Sequence, residues 1–89
     1  VLEKDIERRV CAAAKLAGFL VYKFSSPGSR SVPDRLFMRP GYVFFIEFKA
    51  PGMQATPAQL HEHTKIRRAG LDVYVVDSVE DGIALIASC

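Results

Sequence analysis

The sequence predicts an α/β domain of element order αβββαβα, a small mixed sheet flanked by helices. Three observations carry that prediction. Helix start and stop signals bracket three stretches, the first with apolar residues at helical spacing. Between them lie four short runs rich in Val, Ile, Phe and Tyr. The 89 residues make one domain, 1–89, with no room for a second.

Each element has its own signal. In Leu2 to Ala17, residues Leu2, Ile6, Val10, Ala13, Ala14 and Ala17 recur every three or four positions, and Gly18 supplies a stop. Phe19 to Phe24 is a short β-rich run, the first strand. "SSPGSRSV", residues 25–32, is a loop by composition. Asp34 to Met38 and Tyr42 to Lys49 read as the second and third strands, and Pro40-Gly41 between them argues for a hairpin. Ala50 to Thr56 is another loop. Thr56 then reads as an N-cap with Pro57 in the first helical position, opening a helix to about Ala69 that Gly70 ends. "LDVYVVD" from Leu71 is the fourth strand. Ser78, with Asp81 three residues on, has the spacing of a capping box and opens a last helix to about Ala87, with Gly82 inside it. Three strands in succession make an antiparallel meander, and the crossover helix returns the chain so that the fourth lies parallel to a neighbour.

Hydrophobic residues are 49% of the chain and charged residues 25%, the balance of a globular protein with a core rather than a disordered chain. That core is small, so a partner subunit would add stability. The net charge of +2 gives only a slight lean toward nucleic acid. Placement says more. Lys23, Arg30, Arg35 and Arg39 fall in or near the first strands, while Lys65, Arg67 and Arg68 cluster late in a helix, where the dipole favours them as a solvated face. Cys11 and Cys89 make no disulfide framework, Cys11 reads as a small buried apolar residue, and a reducing, cytoplasmic setting is expected. No run approaches the ~20 apolar residues of a membrane span, and no signal peptide is visible. The chain opens at Val1, so an initiator and a short leader are expected upstream.

The hairpin places charge where apolar strands should have none. A turn centred between Pro40 and Gly41 sets Asp34 opposite Glu47, on one face, with side chains about 4.5–5.5 Å apart at Cβ. Lys49, two residues on, shares that face. A two-residue or a four-residue loop gives the same register, whereas a three-residue loop flips the parity. Pro-Gly does not favour the usual two-residue hairpin turn, so a loop over Arg39 to Tyr42 is expected. Two adjacent carboxylates repel, and one keeps its proton unless a cation intervenes. Lys49 could be that cation in a structural ion pair. A hard divalent metal such as Mg²⁺ is the other candidate, bound through one or two carboxylates plus substrate phosphate. Asp, Glu and Lys so arranged suit phosphodiester cleavage, the lysine stabilising developing negative charge.

Pro33-Asp34, followed by Glu47-Phe48-Lys49 on the next strand, resembles the PD-(D/E)XK nuclease superfamily. The stretch "YKFSSPGSRSVPDRLFMRPGYVFFIEFKAPGMQATPAQ" is similar to its VRR-NUC family in the order and spacing of a Lys-Phe strand, a Ser-Pro-Gly loop, Pro-Asp-Arg, a Pro-Gly turn, Glu-x-Lys-Ala-Pro-Gly and Pro-x-Gln. "RRAGLDVYVVDS" resembles the family's ending, so the likeness covers nearly the whole chain. One departure is Ser31, where the family often carries Gly. The resemblance implies a restriction-endonuclease-like core and metal-dependent cleavage of branched DNA. Stand-alone members resemble Holliday-junction resolvases and act as homodimers, and a large eukaryotic relative is a DNA-repair nuclease. It further implies Asp34 and Glu47 as Mg²⁺ or Mn²⁺ ligands, the Phe48 carbonyl as another, Lys49 as the catalytic lysine and Gln59 as a supporting residue. The family's acid on the first helix has two candidates one turn apart, Glu3 and Glu7. Glu7 is favoured, because it sits nearer mid-helix beside the apolar stripe, as an outer-sphere group or a ligand of a second metal.

Other residues carry plainer readings. His61 and His63, two apart on a helix, point to different sides and do not make a zinc pair. Lys23, Ser25, Ser26, Arg30 and Arg35 are candidates for phosphate contact. Tyr22, Phe24, Phe44, Phe45 and Tyr74 are expected in the core or a dimer interface. The reading is a Mg²⁺-dependent endonuclease for four-way junctions, of phage or bacterial origin. Its rivals are a flap-type, restriction-type or exonuclease-like nuclease of the same fold and an inactive DNA-binding or assembly module.

Overall fold

Ile6, Val10 and Ala14 form one stripe of the first helix, α1 (Glu3–Leu16), and none of them reaches solvent. The computed structural model describes all 89 residues. After α1 come β1 (Leu20–Lys23), β2 (Arg35–Arg39), β3 (Tyr42–Phe48), α2 (Pro57–Arg68), β4 (Asp72–Val76) and α3 (Val79–Ser88), the αβββαβα order expected. The sheet order is β1-β2-β3-β4. β1, β2 and β3 pair antiparallel, and β4 joins β3 in parallel after the α2 crossover.

Strand parity divides the chain between two faces. Phe44, Ile46 and Phe48 point to the face covered by α1 and α3, where they meet Ile6, Val10, Ala14, Val79 and Ile86 in the main core. Phe37 stacks on Phe44 at 5.1 Å between ring centroids, and Phe19 meets the same ring edge-on. Phe45 and Glu47 point to the opposite face, toward α2. Cys11 is buried in the α1 stripe and both cysteines are free.

Gly82 lets α3 approach α1 closely. A Cβ there would lie 2.3 Å from Val10 Cγ2, so the glycine that weakens the helix signal is what allows the two helices to pack. At the head of α3, Ser78 Oγ accepts from the Asp81 amide at 3.1 Å, but the Asp81 side chain does not return a bond, so only half of the expected capping box forms.

The β2–β3 register is the expected one, Arg35 opposite Ile46 through Arg39 opposite Tyr42. The turn differs. It has two residues, Pro40 and Gly41, and not the four expected. Pro40 fixes a negative φ and Gly41 takes φ 78°, the sign pattern of a type II turn, which closes so short a connection. β2 also starts one residue later and β3 ends one residue earlier than expected. The Phe48 amide donates to the Asp34 side chain at 2.7 Å, so a carboxylate ends the ladder where a backbone carbonyl would continue it. Asp34 and Lys49 therefore stand just beyond their strands, at one end of the sheet.

Candidate active site

Asp34 is held from two directions. Its carbonyl accepts from the Phe24 amide at 2.9 Å, extending the β1–β2 ladder, while its Oδ2 accepts from Phe48. Pro33 before it is buried, a tolerable place for a residue with no N–H to satisfy. Ser31, which stands where the resembled family often carries Gly, has a negative φ and fits unstrained. On the other strand, the Lys49 amide donates to Val76 O at 2.9 Å, which ties the start of the 49–56 loop to β4. Asp34, Glu47 and Lys49 thus sit on short, hydrogen-bonded backbone at the shared end of β2, β3 and β4.

α2 supplies the rest of the site. Thr56 and Gln59 form a full capping box: Gln59 N donates to Thr56 Oγ1 at 3.2 Å, and Thr56 N donates to Gln59 Oε1 at 2.9 Å. That box leaves the Gln59 Nε2 free to donate to Glu47 Oε2 at 3.3 Å. One turn on, His63 is fully buried, with Nε2 3.3 Å from Glu47 Oε1. The sequence reading missed His63 by comparing it with His61 alone. The usable signal was Gln59 and His63 at i and i+4, which share a helix face. His61 is exposed and makes no pair with it.

Burial first, and then the charge of Asp34, push the Glu47 carboxyl up to about 8, while the Lys49 charge pulls the other way. Burial also holds the His63 imidazole below its ordinary value, helped by the positive charges of Arg67 and Lys49. His63 is therefore neutral at pH 7; which side donates across its 3.3 Å contact with Glu47 follows the protonation of that carboxyl, and Nδ1 is buried with no partner. No lysine or arginine is paired with Asp34 or Glu47. Lys49 acts on Glu47 through the field and not through an ion pair, so the structural ion pair that the sequence allowed is not formed. Two adjoining carboxylates without a compensating cation suit a hard divalent metal. No three carboxylate, imidazole or thiol groups are arranged to hold a metal ion by themselves, so Asp34 and Glu47 are the two carboxylates offered.

The first-helix acid falls out differently from the expectation. Glu7 is engaged elsewhere: its Oε2 accepts from Arg35 Nε at 2.7 Å on the α1 face of the sheet. Glu3 is the acid whose charge reaches Glu47. The DNA-contact candidates also divide. Lys23 lies opposite Arg35 across β1 and β2, on the α1 face. Ser26 closes a small turn with Ser29, whose side chain reaches Glu62 of α2, so the 25–32 loop lies toward α2, with Arg30 exposed on it. Of the late basic cluster, Lys65 pairs with Glu62 and Arg67 donates to Val73 O at 2.6 Å. Phe44 and Phe45 are buried, Phe24 packs on Phe45 and Tyr74 on Phe44, but Tyr22 is 53% exposed.

None of the three surface cavities is lined by Asp34, Glu47 or Lys49. Asp34 stands part-exposed on the rim of the sheet with Glu47 buried beside it, outside any pocket of the kind that engulfs a small ligand. A long, thin substrate such as a polymer backbone can reach such a rim.

Comparison with known proteins bears on the fold and the family. No family model matches the chain. A solved structure described as "VRR_NUC domain" superposes with a TM-score of 0.87 at 30% identity, over 98% of this chain and 97% of that one. A protein of Acyrthosiphon pisum secondary endosymbiont phage 1, named "Putative nuclease p44", is 44% identical over 79 residues, 88% of this chain and 85% of its own length. A four-stranded mixed sheet carrying Pro-Asp and Glu-x-Lys at one end defines a nuclease domain of PD-(D/E)XK type. The chain belongs to the VRR-NUC nuclease family.

Proposed function

We propose that this nuclease is a divalent-metal-dependent endodeoxyribonuclease that selects branched DNA, four-way junctions in particular, and works as a homodimer. The observation that carries the metal reading is the buried Glu47 beside Asp34, with no cation paired to either. Asp34, Glu47 and the Phe48 carbonyl would hold Mg²⁺ or Mn²⁺, with Glu3 the better-placed helix acid for its outer sphere. The bound cation would supply charge compensation at the scissile phosphate and a water of lowered pKa. Gln59 and His63 hold the Glu47 carboxylate from the α2 side. Lys49, unpaired, is free to orient the attacking water or to neutralise the phosphate as charge builds on it. Attack is in line, forming one P–O bond as the opposite one breaks, and water leaves one hydrogen on the new phosphate oxygen and its proton to the solvent or the leaving oxygen.

Two sites related by a two-fold axis would match the paired nicks a four-way junction asks for. The test is incubation of the protein and Lys49→Ala with labelled four-way junction, flap and linear duplex, in Mg²⁺, Mn²⁺ and EDTA. Junction cutting that needs metal and falls at least ~100-fold in the variant is expected, in line with the removal of one electrostatic donor. Cutting confined to the flap would keep the chemistry and overturn the junction assignment. Tight junction binding with no cleavage in either metal would make the chain a binding module.

A further inference from the structure

A cavity of about 320 Å³ lies against α1, apart from the carboxylate site. Four cations line it, Lys4, Arg8, Lys15 and Arg35, against a single carboxylate, Glu7. At 3.6 residues per turn, Lys4, Arg8 and Lys15 fall within an arc of about 40° and run ~16 Å along the helix. Glu7 does not neutralise this stripe, because it is spent on Arg35 Nε. The other acid nearby, Asp5, reaches Arg8 only at 3.6 Å, and Arg8 remains 72% exposed, a surface pair worth little.

Arg35 is the fixed point of the groove. Glu7 grips it at Nε, and its two terminal nitrogens make no hydrogen bond. A guanidinium held in this way presents its fork already oriented, the geometry that suits phosphate oxygens. Arg35 follows Asp34 in the chain but points to the other face of the sheet, so the groove starts at the same end of β2 as the candidate metal ligand, across the sheet from it, and leads away along α1. Lys23, opposite Arg35 on the same face, flanks it. A row of like charges with no acid of its own repels itself in the free protein and is relieved by a polyanion. A single phosphate would occupy only the Arg35 end, whereas the length of the stripe spans several successive phosphates of one strand.

We propose that this α1 groove holds the phosphate backbone of the duplex arm next to the scissile bond, with Lys4, Arg8, Lys15 and Arg35 each facing phosphate. The proposal rests on the DNA-nuclease reading above. It reads no base, so it adds affinity and direction without sequence preference.

The test is binding of a fluorescein-labelled four-way junction in EDTA, from about 50 to about 250 mM KCl, by the wild type, by Lys4→Gln/Arg8→Gln/Lys15→Gln, and by Arg9→Gln/Arg39→Gln/Arg68→Gln, which removes equal charge elsewhere. All six positions are exposed, and matched circular dichroism and melting temperature establish that each variant folds. The slope of log Kd against log salt is expected to shrink by ~2.7 in the groove variant, about 0.9 for each phosphate that is no longer neutralised, and to change little in the control. Equal slopes in wild type and groove variant would overturn the groove and leave the nuclease reading standing. Equal decreases in both variants would overturn it as well, by reducing the effect to net charge. A wild type with no salt-dependent DNA binding would overturn the DNA reading, and the groove with it.

Discussion

Glu47 is 3% exposed, with Asp34 on one side and Gln59 and His63 on the other. Burial and the Asp34 charge raise its carboxyl from 4.5 to about 8, so the metal-free protein keeps a proton there at neutral pH. The sign of the stability effect follows. A carboxyl whose folded value lies above its unfolded value binds more protons in the folded state between the two, so stability falls as pH rises through that interval. His63 acts oppositely, since a buried neutral imidazole costs stability only as pH falls below the ordinary 6.5. The window from pH 7 to about 8, below the range in which the buried Cys11 thiol contributes, therefore isolates Glu47. In chelator, the melting temperature of the wild type should fall across that window, while Glu47→Gln should be flat. Excess Mg²⁺ should remove the fall, because the cation takes the place of the proton and binds the native state alone. A wild-type melting temperature flat across that window in EDTA would mean that Glu47 is ionised in the free protein and that something other than a proton compensates it.

At the scale of elements, parity did most of the work that could be read in advance. A Pro-Gly turn of even length fixes which residues of β2 and β3 share a face, and Asp34, Glu47 and Lys49 follow whether the turn has two residues or four. Parity is silent about contacts made by packing. His63 enters the site because α2 crosses the back of β3, and Glu7 leaves it because Arg35, 28 residues away, reaches the same helix face first. Local signals also mislead where tertiary contact overrides them. Gly82 reads as a flaw in α3, yet the helix is formed and needs it. Ala gains about 1 kcal/mol over Gly in helix propensity. Against that, the new methyl would sit 2.3 Å from a buried Val10 that cannot swing aside, and overpacking of this kind costs about 1–3 kcal/mol. Gly82→Ala should therefore lower stability to urea, and Gly82→Ala/Val10→Ala should be less destabilised than the two single changes summed, since the second truncation makes the room that the first lacks. A stabilised Gly82→Ala would show that α1 and α3 can part freely.

Across the whole molecule, the two faces of the sheet are unequally covered. α1 and α3 close one face, and the main core lies there. The other has only α2, which packs over β4 and the Glu47 end of β3, so the β1–β2 side stands open. Leu20 and Tyr22 point to that side by their pairing with Met38 and Leu36, and they are 56% and 53% exposed. β1 is also an edge strand, with unpaired backbone along its outer side. On the proposed homodimer reading, this apolar patch on an edge strand is the surface a second copy would cover, on the face away from the α1 groove. The wild type should sediment at twice the 9.9 kDa chain mass, and Leu20→Lys/Tyr22→Lys at the single mass with its circular dichroism unchanged. The consequence for cleavage is specific. A junction cut by the dimer should receive both nicks within one binding event, whereas the monomeric variant should leave singly nicked junctions that accumulate before the second cut. Supercoiled cruciform plasmid separates the two, since paired nicks linearise it and a single nick only relaxes it. A wild type that sediments as a monomer even at high micromolar concentration and merely relaxes the plasmid would sink the two-fold reading and move the preferred substrate toward flaps, which ask for one cut.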